Sequence, residues 1–188
     1  MTLLALMRHG ATEWTEAGRI QGRRDVGLSA AGRAALAGLA LPAACKGMRA
    51  VTSPLRRCVE TAELLGAADA LREPRIIEMH WGAWEGRTLA ELRSELGRAM
   101  QENEARGLDF LPPGGESPRQ VLSRVANWLT EIDVPTFAVT HRGVIRVILA
   151  AATGWDMTGK PPAKLDWGAV HVFRLAAGRP YVERLNAA

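Results

Sequence analysis

Four short apolar runs, at residues 3–7, 50–52, 75–77 and 136–140, alternate with longer segments of helical spacing, and this alternation restricts the fold more than any other feature. Runs this short, several of them β-branched, suit strands buried on both faces. Strands that alternate with helices build a mainly parallel sheet covered on each side. The expected architecture is a three-layer α/β/α sandwich. Helix starts are legible as well. Ser53-Pro54 reads as an N-cap with proline in the first turn, Ser117-Pro118 repeats it with Gln120 placed for a capping box, and Thr88 with Glu91 forms another. Apolar residues then recur at helical spacing, at Cys58, Ala62 and Leu65 and at Val121, Val125, Leu129 and Ile132. Residues 169–175 and 181–185 read as a closing hairpin. Residues 78–116 interrupt the pattern with Trp81, Trp84, an acidic helix and a Pro112-Pro113-Gly114-Gly115 turn, and are expected to form an insertion or lid over the active end of one domain spanning 1–188.

Composition narrows the function classes. The N-terminal apolar run is cut off by Arg8 and His9, too soon for a signal-peptide core or a membrane span, so no membrane partner and a cytoplasmic location are expected. Cys45 and Cys58 sit in helical patterns and read as reduced, structural thiols. There are 21 Arg against 3 Lys, yet the net charge is only +4, which suits an acidic ligand, while aromatic and basic residues do not interleave as nucleic-acid binding would require. The four histidines, at 9, 80, 141 and 171, show no paired helical spacing, so no metal is expected, and His171 is placed on an edge strand at the surface. Gly154 to Lys160 mimics a phosphate-binding P-loop, but Pro161 stands where Ser or Thr must hold magnesium. No cofactor is expected.

The residues at the strand ends carry the chemistry. The first run ends in Met7-Arg8-His9-Gly10 and the fourth in Thr140-His141-Arg142-Gly143, and parallel sheets bind ligands beyond the carboxyl ends of their strands. Two histidines, each beside an arginine, are thereby directed to one edge. Thr52-Ser53-Pro54-Leu55-Arg56-Arg57 adds a helix N-terminus and guanidiniums that suit phosphate oxygens. Arg56, nearer the cap, is the expected ligand, and Arg57 is expected on a solvated helix face. Glu78 and Glu85 each lie among apolar residues that favour the protonated acid a proton donor needs, and Glu78, nearer its strand, is preferred.

These blocks, together with Arg19-Ile20-Gln21-Gly22-Arg23-Arg24-Asp25, Gly82-Ala83-Trp84-Glu85-Gly86 and Pro113-Gly114-Gly115-Glu116-Ser117, occur in an order that resembles the histidine phosphatase superfamily, also called phosphoglycerate mutase-like. The resemblance implies that His9 is a nucleophile forming a phosphohistidine. It also implies that Arg8, Arg56 and His141 bind the phosphoryl oxygens and that Glu78 donates the proton, with Gln21 matching the family's pocket glutamine. Two positions depart from the pattern. Thr15 stands where similar proteins carry an asparagine that touches phosphate, and Arg142 replaces the first glycine of the usual His-Gly-Gly. Arg142 either rebuilds that contact, narrows substrate entry, or points to solvent. The expected function is hydrolysis of a phosphomonoester on a small phosphorylated metabolite, in the manner of short members such as α-ribazole phosphatases and broad-specificity phosphatases. The alternatives are a cofactor-dependent phosphoglycerate mutase, against which the short chain argues, and a catalytically silent phosphate-binding scaffold. Oligomeric state is not legible.

Overall fold

The computed structural model describes residues 1–187; Ala188, the last residue of the expected domain, lies outside the described residues. Six strands form one sheet: β1 (Thr2–Arg8), β2 (Arg49–Thr52), β3 (Leu71–Arg72), β4 (Thr136–Thr140), β5 (Val170–Ala176) and β6 (Arg179–Ala187), in the order β3-β2-β4-β1-β5-β6. The first four are mutually parallel, and β5 and β6 add an antiparallel edge. Seven α-helices among the described residues accompany them: α1 (Glu13–Glu16), α2 (Ala30–Leu36), α3 (Arg56–Leu64), α4 (Leu89–Leu96), α5 (Arg98–Glu104), α6 (Pro118–Glu131) and α7 (Arg142–Thr153).

Alternation along the central strands divides the interior in two. Leu4 and Leu6 of β1 and Ala138 of β4 face a cluster built with Val121, Val125 and Leu129 of α6 and Ile145 and Ile148 of α7. Ala5 and Met7 of β1 and Phe137 and Val139 of β4 face the other side, against Leu36 of α2 and Cys58 and Ala62 of α3. The sheet is therefore covered on both faces, as expected. Residues 78–116 carry α4 and α5 and pack around a third, smaller cluster of Trp84, Leu92 and Met100. No helix among the described residues is long and apolar enough to cross a membrane.

Local chemistry explains where the sequence reading differs from the structure. Ser117 and Thr88 close capping boxes with Gln120 and Glu91 as expected. The third strand is only Leu71–Arg72, and Pro74–Ile76 form a 3-10 turn, because Pro74 lacks the N–H a ladder needs and Glu73 caps the turn through the Arg75 N–H. Ser53-Pro54 does not cap α3, which begins two residues later with Leu55 as its cap. His171 lies on β5, paired on both sides, and is fully buried, accepting the Asn186 N–H at 3.3 Å. Phe137→Ala, in the central strand, should cost about 3–5 kcal/mol in denaturant titration. Leu71→Ala, on the exposed edge, should change stability by less than about 0.5 kcal/mol.

Candidate active site

The pairing of β1 with β4 sets Arg8 opposite Thr140, and the His9 N–H continues the ladder by donating to the Thr140 carbonyl at 3.0 Å. The two strands thus end level, and His9 and His141 emerge side by side with ring centroids 5.3 Å apart. β2 ends beside them, where the Ser53 N–H donates to the Val139 carbonyl. From these ends the chain leaves toward opposite faces, to α2 below and α7 above, which opens a crevice at a topological switch point.

Hydrogen bonds fix both imidazoles. His9 Nδ1–H donates to the Gly10 carbonyl at 2.7 Å, so Nε2 keeps its lone pair. His141 Nδ1 faces Arg57 Nη2 at 3.3 Å, and since a guanidinium only donates, His141 Nε2 carries the proton and donates to Ser53 Oγ at 2.7 Å. Burial, reinforced by the charges of Arg57 and Arg8, pushes the His9 pKa well below its ordinary value. Burial and Arg57 do the same to His141. Both rings are therefore neutral near pH 7. His141 is wholly buried behind His9 and does not line the cleft.

The arginine assignment is corrected by the structure. Arg57 is completely buried; its Nη1 and Nη2 donate to the carbonyls of Arg24 and Gly22, both at 2.8 Å, while Nη2 reaches His141. The side chain of Arg56 is 61% exposed and pairs with Glu60 at 2.5 Å, away from the histidines. The reason is helical phase. Arg57 lies four residues before buried Thr61, whereas Arg56 lies four before Glu60, which bridges to Arg33 as well. The stripe of Cys58, Ala62 and Leu65 already contained this phase.

Glu78 is buried at the cleft wall, where its carboxyl oxygens accept the Met79 N–H at 2.8 Å and the Gly143 N–H at 3.3 Å. A Cβ at position 143 would collide with Glu78 Oε1, so glycine is required for this approach. Glu85 instead braces two loops by accepting from the backbone N–H groups of Arg23 and Trp81, and it does not line the cleft. Thr15 lines the cleft, but its hydroxyl closes the α1 capping box by donating to the Thr12 carbonyl and accepting the Thr12 N–H, both at 2.8 Å. Gln21 Oε1 accepts from Thr12 Oγ1 at 2.8 Å, which leaves its amide N–H groups for the cleft.

The cleft has a volume of about 560 Å³. Trp81 lines its apolar wall edge-on to Phe110, while Trp84 is buried beneath. Arg8, Arg142 and Arg146 also line it, and no carboxylate lies within 4.0 Å of any of the three among the described residues. Arg8 Nε and Arg146 Nε are buried without acceptors. The sequence reading gives Arg146 no role, although it follows Arg142 by one helical turn.

Because the two imidazoles are held neutral in the fold, the unfolded chain binds more protons below the ordinary histidine value of 6.5. Their contribution to stability is complete above that pH and is lost as pH falls, by up to about 1.4 kcal/mol per pH unit for each ring. Denaturant titrations at about pH 7.5 and about pH 5.5 should show this loss, and His141→Asn should make it smaller. An undiminished loss in the variant would contradict the assignment.

The sequence profile described as histidine phosphatase superfamily (branch 1) matches residues 4–188. A bifunctional protein of Mycobacterium tuberculosis is 34% identical over 161 residues, which cover 80% of this chain but only 44% of that protein, so the chain spans less than half the length of such relatives. A glucosyl-3-phosphoglycerate phosphatase of Mycolicibacterium vanbaalenii is 32% identical over 178 residues, covering 84% of this chain and 77% of that one. A 2,3-bisphosphoglycerate-dependent phosphoglycerate mutase of Beijerinckia indica is 29% identical over 193 residues, covering 93% and 92%. Among solved structures, a mycobacterial glucosyl-3-phosphoglycerate phosphatase in complex with VO3 superposes with a TM-score of 0.81 at 25% identity, over the whole of both chains. The two level strand ends, the paired histidines and the match over nearly every residue lead to one conclusion: the chain belongs to the histidine phosphatase superfamily.

Proposed function

We propose that the chain hydrolyses a phosphomonoester of a small metabolite through a phosphorylated His9, without a metal ion. One observation carries this reading: the Nδ1–H bond to Gly10 leaves a neutral Nε2 lone pair beside guanidiniums that no carboxylate among the described residues approaches within 4.0 Å. In the first step Nε2 attacks phosphorus, an N–P bond forms, and the ester P–O bond breaks. Glu78 gives its proton to the departing alkoxide. In the second step water attacks phosphorus, Glu78 takes the proton of that water, and the N–P bond breaks to release inorganic phosphate and restore the imidazole. Arg8 neutralises charge on the phosphoryl oxygens, Arg57 and Arg8 suppress the protonation of His9, and His141, held by Arg57, packs against the His9 ring.

Residues 78–116 act as the cover of this site in the same reading, supported by Trp81, Leu89 and Phe110 on the cleft wall. The buried thiols of Cys45 and Cys58 fit a reducing, cytoplasmic setting. Transfer rather than hydrolysis is the second reading, favoured by the similarity to a mutase. Turnover of a generic aryl phosphate with chelator present tests the first. His9→Ala should abolish it and Arg57→Lys should lower kcat/KM by about 10²–10³, whereas Arg56→Ala should stay within about threefold. Turnover unchanged in His9→Ala would contradict the mechanism, and no turnover on a panel that includes α-ribazole 5′-phosphate would favour a scaffold. Supplied with 3-phosphoglycerate and catalytic 2,3-bisphosphoglycerate, the protein should release phosphate. Dominant 2-phosphoglycerate would establish the mutase.

A further inference from the structure

Many arginines of this protein are matched to acids, among them Arg33 to Glu60, Arg75 to Glu73 and Glu131, Arg93 to Glu104, Arg119 to Asp109 and Arg124 to Glu116. Arg142 and Arg146 are not. They stand one turn apart on α7, with Cβ atoms about 5–6 Å apart by helical geometry, and both line the cleft. Neither has a carboxylate within 4.0 Å or a hydrogen-bond acceptor among the described residues, and Arg146 Nε is buried with none. Their placement is unfavourable in the free protein. Like charges at this spacing repel, and Arg142 opens α7, where the helix dipole disfavours cations.

The two guanidiniums are nevertheless held in place. Arg142 stacks over the Trp167 ring at 5.2 Å and Arg146 over the Trp155 ring at 5.1 Å, which fixes both forks by cation–π contact while leaving their N–H groups to donate. The pair also begins beside the proton donor, since Glu78 accepts the N–H of Gly143, the residue after Arg142. A leaving group protonated by Glu78 therefore lies next to this pair.

We infer that Arg142 and Arg146 form a second anion subsite, which binds a carboxylate or a second phosphate carried on the leaving-group half of the substrate. This rests on the hydrolase reading and narrows its substrate class to small phosphomonoesters with a further acidic group. Arg142 is the residue at which the sequence departs from the family pattern.

The test compares kcat/KM for 3-phosphoglycerate, for propane-1,3-diol bisphosphate and for glycerol 3-phosphate, which lacks a second anion, in wild type, Arg142→Gln, Arg146→Gln and the double variant. Wild type should favour at least one of the two doubly anionic esters over glycerol 3-phosphate by about 10- to 100-fold, mainly through KM, and which of them is favoured distinguishes carboxylate from phosphate. Each variant should reduce that ratio and the double variant should bring it within about threefold, with Arg146→Lys recovering part of it. A wild-type ratio near one, with glycerol 3-phosphate turned over, overturns the subsite and leaves the hydrolase reading intact. A ratio unchanged in the double variant does the same. Hydrolysis of none of the three esters, nor of the aryl phosphate, overturns the hydrolase reading and the subsite with it.

Discussion

The level ending of β1 and β4 is the constraint on which the rest of the site depends. Parallel pairing in register from Leu4 opposite Thr136 to Arg8 opposite Thr140 is held by strands whose side chains are buried on both faces. A one-residue slip would exchange the faces of every core side chain in a strand, so the register is strongly specified by packing alone. The residues just past the last paired positions are then fixed in space: His9 after one strand, His141 after the other, Ser53 after the third. The hydrophobic core thus determines a distance that the chemistry needs.

Around that frame the protein concentrates uncompensated positive charge. Arg57 is buried with its charge shared among two carbonyls and an imidazole, and its Nε has no partner. Arg8, Arg142 and Arg146 have no carboxylate within 4.0 Å among the described residues. Such a cluster costs stability in the free protein, and sites that violate local rules in this way are where function is expected. Burial and the charges of Arg57 and Arg8 keep His9 unprotonated, so the proposed nucleophile and the proposed anion site arise from one arrangement.

The legible part of the sequence is the part written in periodicity and capping. The parallel sheet, the closing hairpin, the capped starts of α4 and α6 and the meeting of His9 with His141 all arise from patterns that tertiary context does not overrule. The sequence misleads where a local signal competes with a distant partner. Ser53 resembles a cap, but its hydroxyl is taken by His141, eighty-eight residues away, so α3 starts later and its phase turns Arg57 rather than Arg56 inward. The run at 75–77 is apolar enough for a strand, yet Pro74 prevents pairing and only Ile76 enters the core. His171 reads as a surface residue because the sequence does not reveal that β6 returns to cover β5.

The central claim is that His9 Nε2 becomes covalently phosphorylated, and it is tested most directly by quenching the enzyme in alkali during turnover, where a phosphohistidine survives, and mapping the modified peptide by mass spectrometry. The account predicts a single added phosphoryl group on the peptide carrying His9, labile to acid and absent from His9→Asn. Full turnover with no such adduct, or an adduct on another residue, would contradict it.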